Sequence, residues 1–174
     1  MSFKIKALTK SIWVFHISAG SCNNCDIEIL DCLTPRFDVE RFGIQLIGSV
    51  RHADALLITG AMNKKSVPRM KKVYEQMPKP GVVIAVGTCA CSQNMFRDSY
   101  NVAEPLDKIL PVDLYIPGCP PKPEAMIAGI VKLVTKLRKS GAPRPKGQGS
   151  LLEAKSHSAN SYPRPEGQGF CGKD

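Results

Sequence analysis

Five short apolar runs alternate with amphipathic segments along the first 140 residues. Each run holds four to six residues, is rich in β-branched side chains and is closed by Gly, Ser, Thr or Pro, which is typical of β-strands. Because the runs are apolar throughout, without alternating polar positions, they favour parallel strands that are covered on both faces. The predicted strands span residues 12–17, 44–47, 55–59, 82–86 and 112–116.

Three segments between and after these strands are predicted to be helices, at residues 26–33, 66–77 and 123–139. The last is the clearest, because Pro123 and Glu124 suit the first turn of a helix and apolar residues then recur at helical spacing. Strands that alternate with helices predict an α/β domain. We expect a doubly wound, mainly parallel sheet of the flavodoxin-like type.

The length and a change in composition define the domain organisation. A chain of 174 residues suits one domain. Residues 141–174 contain six Gly, four Pro and four Ser, and they hold a near-repeat in which residues 143–149 recur as 163–169. We therefore expect an N-terminal segment at 1–10, a domain at 11–140 and an extended Pro/Gly-rich tail at 141–174. Composition favours a tail without chemistry of its own over a strap across a partner subunit.

The charge balance narrows the choice of partners. The formal net charge of +9 suits anionic partners such as acidic proteins, phosphate headgroups or nucleic acid. No block of five Lys or Arg occurs and only 6% of residues are aromatic, so we expect no nucleic-acid partner. No apolar run reaches the roughly 18 residues that a membrane-spanning helix needs, and the N-terminus does not resemble a signal peptide.

Seven cysteines are the chemically informative feature. In a chain without a secretion signal they favour metal ligation or redox chemistry over disulfides. Cys22 and Cys25 follow the first predicted strand, Cys89 follows the fourth and Cys119 follows the fifth. Because the carboxyl ends of parallel strands share one edge of the sheet, we expect these four thiols to meet there.

Four thiolates without a histidine or carboxylate suit an iron–sulfur cluster or structural zinc. Zinc usually takes two compact cysteine pairs, whereas this chain has one pair and two isolated cysteines, so zinc is the poorer fit. A thioredoxin-like role for the pair alone leaves the other two unexplained. Of the remaining thiols, Cys32 is expected to be a buried hydrophobe, Cys91 is an alternative ligand to Cys89, and Cys171 lies in the tail.

Around these cysteines the sequence resembles the small-subunit family that carries the cluster nearest the active site in energy-converting [NiFe] hydrogenases. That family includes membrane-bound hydrogenases and ferredoxin-driven sulfane sulfur reductases, and it has a relative in respiratory complex I. The resemblance covers residues 11–139. It rests on Cys22-x-x-Cys25-Asp26-Ile27-Glu28-Ile29, residues 33–43, Arg51-His52-Ala53-Asp54, Gly87-Thr88-Cys89-Ala90 and residues 112–124 with Pro117-Gly118-Cys119-Pro120.

The resemblance implies one [4Fe–4S] cluster on Cys22, Cys25, Cys89 and Cys119. It also implies an electron-transfer subunit with no complete active site of its own. Electrons would pass from a ferredoxin-like iron–sulfur subunit to a catalytic large subunit that evolves hydrogen or reduces polysulfide. The chain would be a peripheral subunit at the cytoplasmic face of the cell membrane, seated on integral membrane subunits.

One detail distinguishes the branches of this family. Complex I relatives place two adjacent cysteines at the first ligand position, whereas this chain has the spaced pair of the hydrogenases and sulfane sulfur reductases. The segment after Cys89 differs from the glycine-rich hydrogenase pattern. The alternatives are a quinone-site subunit of a complex I-type enzyme, or a stand-alone flavodoxin-like module that holds zinc or flavin. Flavin is disfavoured because no phosphate-binding loop follows the first strand.

Four charged residues are candidates for proton-coupled or cluster-tuning roles. Asp26 and Glu28 follow the cysteine pair directly, and the resemblance implies a glutamate at the second of these positions. For Asp26 the alternative is an acid that stabilises the helix N-terminus. Arg51 and His52 could stabilise a reduced cluster, and the alternative for the arginine is an ion pair with Asp54.

Overall fold

The computed structural model describes residues 11–140, which form a five-stranded sheet in which every strand is parallel to its neighbours. The strand order is β2-β1-β3-β4-β5, which is the order of flavodoxin-like doubly wound sheets. The predicted fold class is therefore confirmed. The strands are β1 (Ile12–Gly20), β2 (Ile44–Leu46), β3 (Ala55–Gly60), β4 (Val82–Val86) and β5 (Leu114–Ile116).

Five α-helices connect and cover the strands. They are α1 (Asn24–Asp31), α2 (Val67–Gln76), α3 (Thr88–Ser92), α4 (Leu106–Ile109) and α5 (Pro123–Ser140). The three predicted helices correspond to α1, α2 and α5, whereas α3, α4 and three short 3-10 helices at Val39–Phe42, Val50–His52 and Asn94–Phe96 were not predicted. Within residues 11–140, no helix combines the length and the apolar character that crossing a bilayer requires.

Two strand boundaries differ from the predicted ones by more than one residue, and the end of β1 is the more important. Its pairing with β3 continues past residue 17, through Ser18 opposite Thr59 and, after a register shift, Gly20 opposite Gly60. The strand therefore delivers the chain directly to the first cysteine pair. At one side of the sheet β5 begins only at Leu114.

Each face of the sheet carries its own apolar core. On one face, α1 and α5 pack on side chains such as Val14, Leu57 and Ile84. On the other face, α2, α3 and α4 pack on side chains such as Leu56 and Ile58. All residues of β3 and β4 are buried, as expected for parallel strands covered on both sides.

The predicted N-terminal segment at 1–10, the tail at 141–174 with its near-repeat, and Cys171 lie outside the described residues. The division into segments stays a prediction.

Candidate metal centre

The four predicted ligand cysteines all lie at the edge of the sheet where the strands end, which we call the carboxyl edge. Cys22 lies between β1 and α1, and Cys25 is in the first turn of α1. Cys89 is in α3 directly after β4, and Cys119 lies in the loop between β5 and α5. Three separate strand ends therefore deliver cysteines to one edge.

The thiols act on one another electrostatically. Burial raises the pKa of Cys25 to about 11, and negative charge on Cys22, Cys89 and Cys119 raises it further, followed by a smaller effect of Asp26. Burial also raises the pKa of Cys89, with Cys119 and then Cys22 adding to the effect. Because such effects fall off with distance, the four sulfur atoms form one group.

Gly87 allows the closest approach within this group. Its φ of +88° with ψ of 154° lies in a region that is essentially restricted to glycine. A Cβ atom at this position would lie 2.6 Å from the Sγ atom of Cys25, much closer than van der Waals contact. The missing side chain is therefore required for the Cys25 sulfur to occupy its position beneath the β4–α3 turn.

Hydrogen bonds tie the loops of Cys89 and Cys119 together. The backbone N–H of Thr88 donates to the carbonyl of Gly118 at 2.8 Å. The Thr88 hydroxyl lies 3.0 Å from the same carbonyl and 3.3 Å from the Gly118 nitrogen, so that it donates to the first and accepts from the second. These contacts hold the residues that precede the two cysteines in a defined relative position.

The turn that carries Cys22 is held by its own side chains. The backbone N–H of Ser21 donates to the Ser18 hydroxyl at 3.1 Å, and the N–H of Asn23 donates to the Ser21 hydroxyl at 3.0 Å. Gly60 packs so closely beneath this turn that a Cβ atom there would collide with the Ser21 backbone nitrogen. The first ligand loop therefore rests directly on the end of β3.

The exposure of the four cysteines is uneven. Cys25 is buried, Cys89 is partly buried, and Cys22 and Cys119 are exposed. Within residues 11–140, no group of three or more His, Cys, Asp or Glu side chains is arranged to hold a single metal ion. In a cubic iron–sulfur cluster each thiolate binds a different iron atom, so its four ligands lie farther apart than those of one ion.

Cys91 and Cys32 are directed into the two cores. The Cys91 thiol lies 3.8 Å from the carbonyl oxygen of Ala85 and packs with the core on the α2 side of the sheet. Burial raises its pKa to about 12. Cys32 is buried in the core beneath α1, and burial raises its pKa to about 11. Cys32 is thus the buried residue that the sequence predicted.

Asp26 takes part in a network that the sequence did not reveal. Its Oδ1 atom accepts a hydrogen bond from the buried Thr59 hydroxyl at 2.6 Å and lies 2.9 Å from Nε2 of His16. The same His16 nitrogen is 3.1 Å from the Thr59 hydroxyl. The network joins the ends of β1 and β3 to the first turn of α1, one residue from Cys25.

The other three tuning candidates have different surroundings. Glu28 is half-buried on α1, and within residues 11–140 its side chain makes no hydrogen bond or ion pair. Arg51 and His52 are exposed on the 3-10 helix that precedes β3, so they lie toward the opposite edge from the cysteines. Asp54 accepts a hydrogen bond from the backbone N–H of Trp13 at 3.2 Å. A tuning role for these residues stays a prediction.

Known proteins with related sequences and folds support the same interpretation. Residues 22–133 match the family described as NADH ubiquinone oxidoreductase, 20 Kd subunit. The chain is 53% identical over 134 residues to the probable membrane-bound hydrogenase subunit mbhJ of Pyrococcus furiosus, a match that covers 77% of this chain and 80% of the relative. It is 50% identical over 129 residues to an NADH-quinone oxidoreductase subunit of Geotalea daltonii, at 74% of each chain.

Among solved structures, the fold resembles a chain of the membrane-bound sulfane sulfur reductase, an archaeal respiratory membrane complex. The TM-score is 0.70 at 39% identity, and the match covers 79% of this chain and 76% of that chain. The matched segment of the family includes all four cysteines of the carboxyl edge. This chain therefore belongs to the family of the NADH ubiquinone oxidoreductase 20 Kd subunit.

Proposed function

We propose that this chain is the electron-transfer subunit of a membrane-bound respiratory complex and carries one [4Fe–4S] cluster on Cys22, Cys25, Cys89 and Cys119. The observation that supports this most strongly is the convergence of these cysteines from three strand ends onto one edge of the sheet. Family membership agrees with it, since the relatives are subunits of oxidoreductase complexes.

The donor set fits such a cluster better than it fits zinc. All four donors are thiols, which are the usual ligands of iron–sulfur clusters. Their arrangement is not that of a single-ion site in the described part of the chain. When bound, the cluster would supply a centre that accepts and releases one electron at a time.

The chain's own residues would hold and shield this centre. Cys25 would bind it from the buried side, and the Gly87 turn would let the backbone approach it closely. Cys22 and Cys119 would bind it at the exposed rim, where an electron can pass to or from another subunit. The raised pKa values of Cys25 and Cys89 mean that binding of positively charged iron must displace protons from these thiols.

The proposed partners follow from the relatives and from the spaced cysteine pair. We propose a ferredoxin-like iron–sulfur subunit as electron donor and a catalytic large subunit as acceptor, both held on integral membrane subunits at the cytoplasmic face of the membrane. The hydrogenase subunit and the sulfane sulfur reductase complex favour an acceptor that evolves hydrogen or reduces polysulfide.

The proposal is tested by cysteine substitution in the anaerobically purified full chain. Cys119→Ser and Cys25→Ser should lower iron and acid-labile sulfide severalfold and weaken or change the EPR signal of the reduced protein. Cys91→Ala is the matched control, because Cys91 is two residues from Cys89 but its thiol is directed into the core. Wild-type chain without iron, or loss of iron on Cys91→Ala alone, would contradict the proposed ligand set.

A quinone-site subunit of a complex I-type enzyme is the second candidate. The 50% identity to a subunit of an NADH-quinone oxidoreductase supports it. The two functions share the cluster and differ in the final electron acceptor. Quinone reduction by the purified parent complex would favour this second function, whereas hydrogen or sulfide production would favour the first.

A further inference from the structure

The loop and helix that follow β3 carry a concentration of positive charge at the surface. Six residues between positions 64 and 72 are exposed to solvent, of which five are Lys or Arg and one is a proline. We call these five cations the basic surface. They are Lys64, Lys65, Arg69, Lys71 and Lys72.

The chain does not neutralise this charge within its described part. The ion pair found in residues 11–140 joins His16 to Asp26, and the five cations of the basic surface make none there. The first turn of α2 contains no acidic residue. Positive side chains near the start of a helix oppose the helix dipole, so their accumulation here costs stability. Such a surface suits an acidic surface on another molecule.

The basic surface lies beside the cysteines. The Ser66 hydroxyl donates to the carbonyl of Ala19 at 2.6 Å. A Cβ atom on Gly20 would lie 2.6 Å from Nδ2 of Asn63, so these two residues are in close contact. The loop that carries Lys64 and Lys65 therefore packs on the end of β1, and the chain continues from there directly to Cys22.

We propose that the basic surface is the docking site for an acidic electron-transfer protein. This inference rests on the proposed function, because the partner would exchange electrons with a cluster at the exposed rim formed by Cys22. In the exchange, one electron passes from the partner's reduced iron–sulfur cluster to the oxidised cluster of this chain, and no bond forms or breaks. Proximity to the redox rim favours a protein over an anionic membrane surface, since lipid headgroups have no electron to supply.

The test measures binding of the anaerobically purified full chain to a soluble acidic ferredoxin with two [4Fe–4S] clusters, at low and at high salt. The test variant reverses three charges of the basic surface: Lys64→Glu, Lys65→Glu and Arg69→Glu. The control variant reverses three exposed charges elsewhere, so that the net charge changes equally: Lys79→Glu before β4, Lys108→Glu before β5 and Lys132→Glu on α5.

Electrostatic docking predicts a selective and salt-dependent loss of affinity. At low ionic strength the test variant should bind ferredoxin about ten-fold or more weakly than wild type, and the difference should shrink as salt screens the charges. The control variant should stay within about two-fold of wild type, because its charges lie away from the docking site. Circular dichroism establishes that both variants fold.

Three results would overturn the docking proposal. Unchanged affinity of the test variant would do so, and so would an equal loss in both variants, which would indicate an effect of net charge alone. The third is a loss of binding to phosphatidylglycerol vesicles without a loss of ferredoxin binding, which would identify a membrane surface as the occupant. Iron content of the same samples tests the cluster separately, so a chain that binds ferredoxin but lacks iron would contradict the proposed function and leave the docking site standing.

Discussion

Gly87 provides a sharp test of the site geometry. Replacing it with alanine would place a Cβ atom 2.6 Å from the Cys25 sulfur, at a backbone conformation with φ of +88°. A non-glycine residue in this region costs about 1–3 kcal/mol. Forcing an extra methyl group into a packed site costs roughly another 1–3 kcal/mol. We therefore expect Gly87→Ala to lower the free energy of unfolding by about 2–6 kcal/mol, from the sum of these two effects.

The same substitution should also weaken cluster binding, because the added methyl group must displace the Cys25 sulfur or the turn above it. Gly48→Ala is the matched control, since a Cβ atom there meets nothing within 4 Å and its φ is not in the left-handed region. Urea unfolding and iron content per chain, measured on both variants and the wild type, provide the assay. A Gly87→Ala variant that keeps both wild-type stability and wild-type iron would refute the argument that this glycine is needed for the approach of Cys25.

Two further predictions concern buried groups. Thr59→Val removes the hydroxyl that donates to Asp26 and should lower the free energy of unfolding by about 1–3 kcal/mol in urea titrations, while Thr59→Ser should lose less because it keeps the donor; equal losses in the two variants would contradict a role for the hydrogen bond. Burial raises the pKa of Cys32 from 9.0 to about 11, so above pH 9 the unfolded chain releases this proton first and the free energy of unfolding should fall between pH 9 and 11, by at most about 1.4 kcal/mol per pH unit. Stability measured against pH should fall less steeply in Cys32→Ala, and identical slopes would show that this thiol does not titrate as its burial requires.

Regular apolar patterns made much of the fold predictable. The β3 and β4 runs are buried along their whole length, and the predicted boundaries of β4 at residues 82–86 match the structure. The end of β1 was missed because Ser18, Ala19 and Gly20 carry no strand pattern of their own. Their strand conformation comes from pairing with the end of β3, which is a tertiary effect. Similarly, α3 has only five residues, too few to show a helical period.

The placement of the cysteines was predictable for a different reason. Parallel strands bring their carboxyl ends to one edge, so the position of each cysteine after a strand was sufficient to group them. The contact between His16, Asp26 and Thr59 could not be predicted in this way. Its members are up to 43 positions apart, and their contact depends on the register of β1 against β3 and on how α1 leaves the sheet.

Iron-edge anomalous diffraction from crystals of the anaerobically prepared full chain tests the central claim most directly. The account predicts one compact group of four iron atoms at the carboxyl edge, with the sulfurs of Cys22, Cys25, Cys89 and Cys119 each bound to a different iron. A single metal ion at this position, an iron group that uses Cys91 in place of Cys89, or the absence of any anomalous signal at this edge would contradict it.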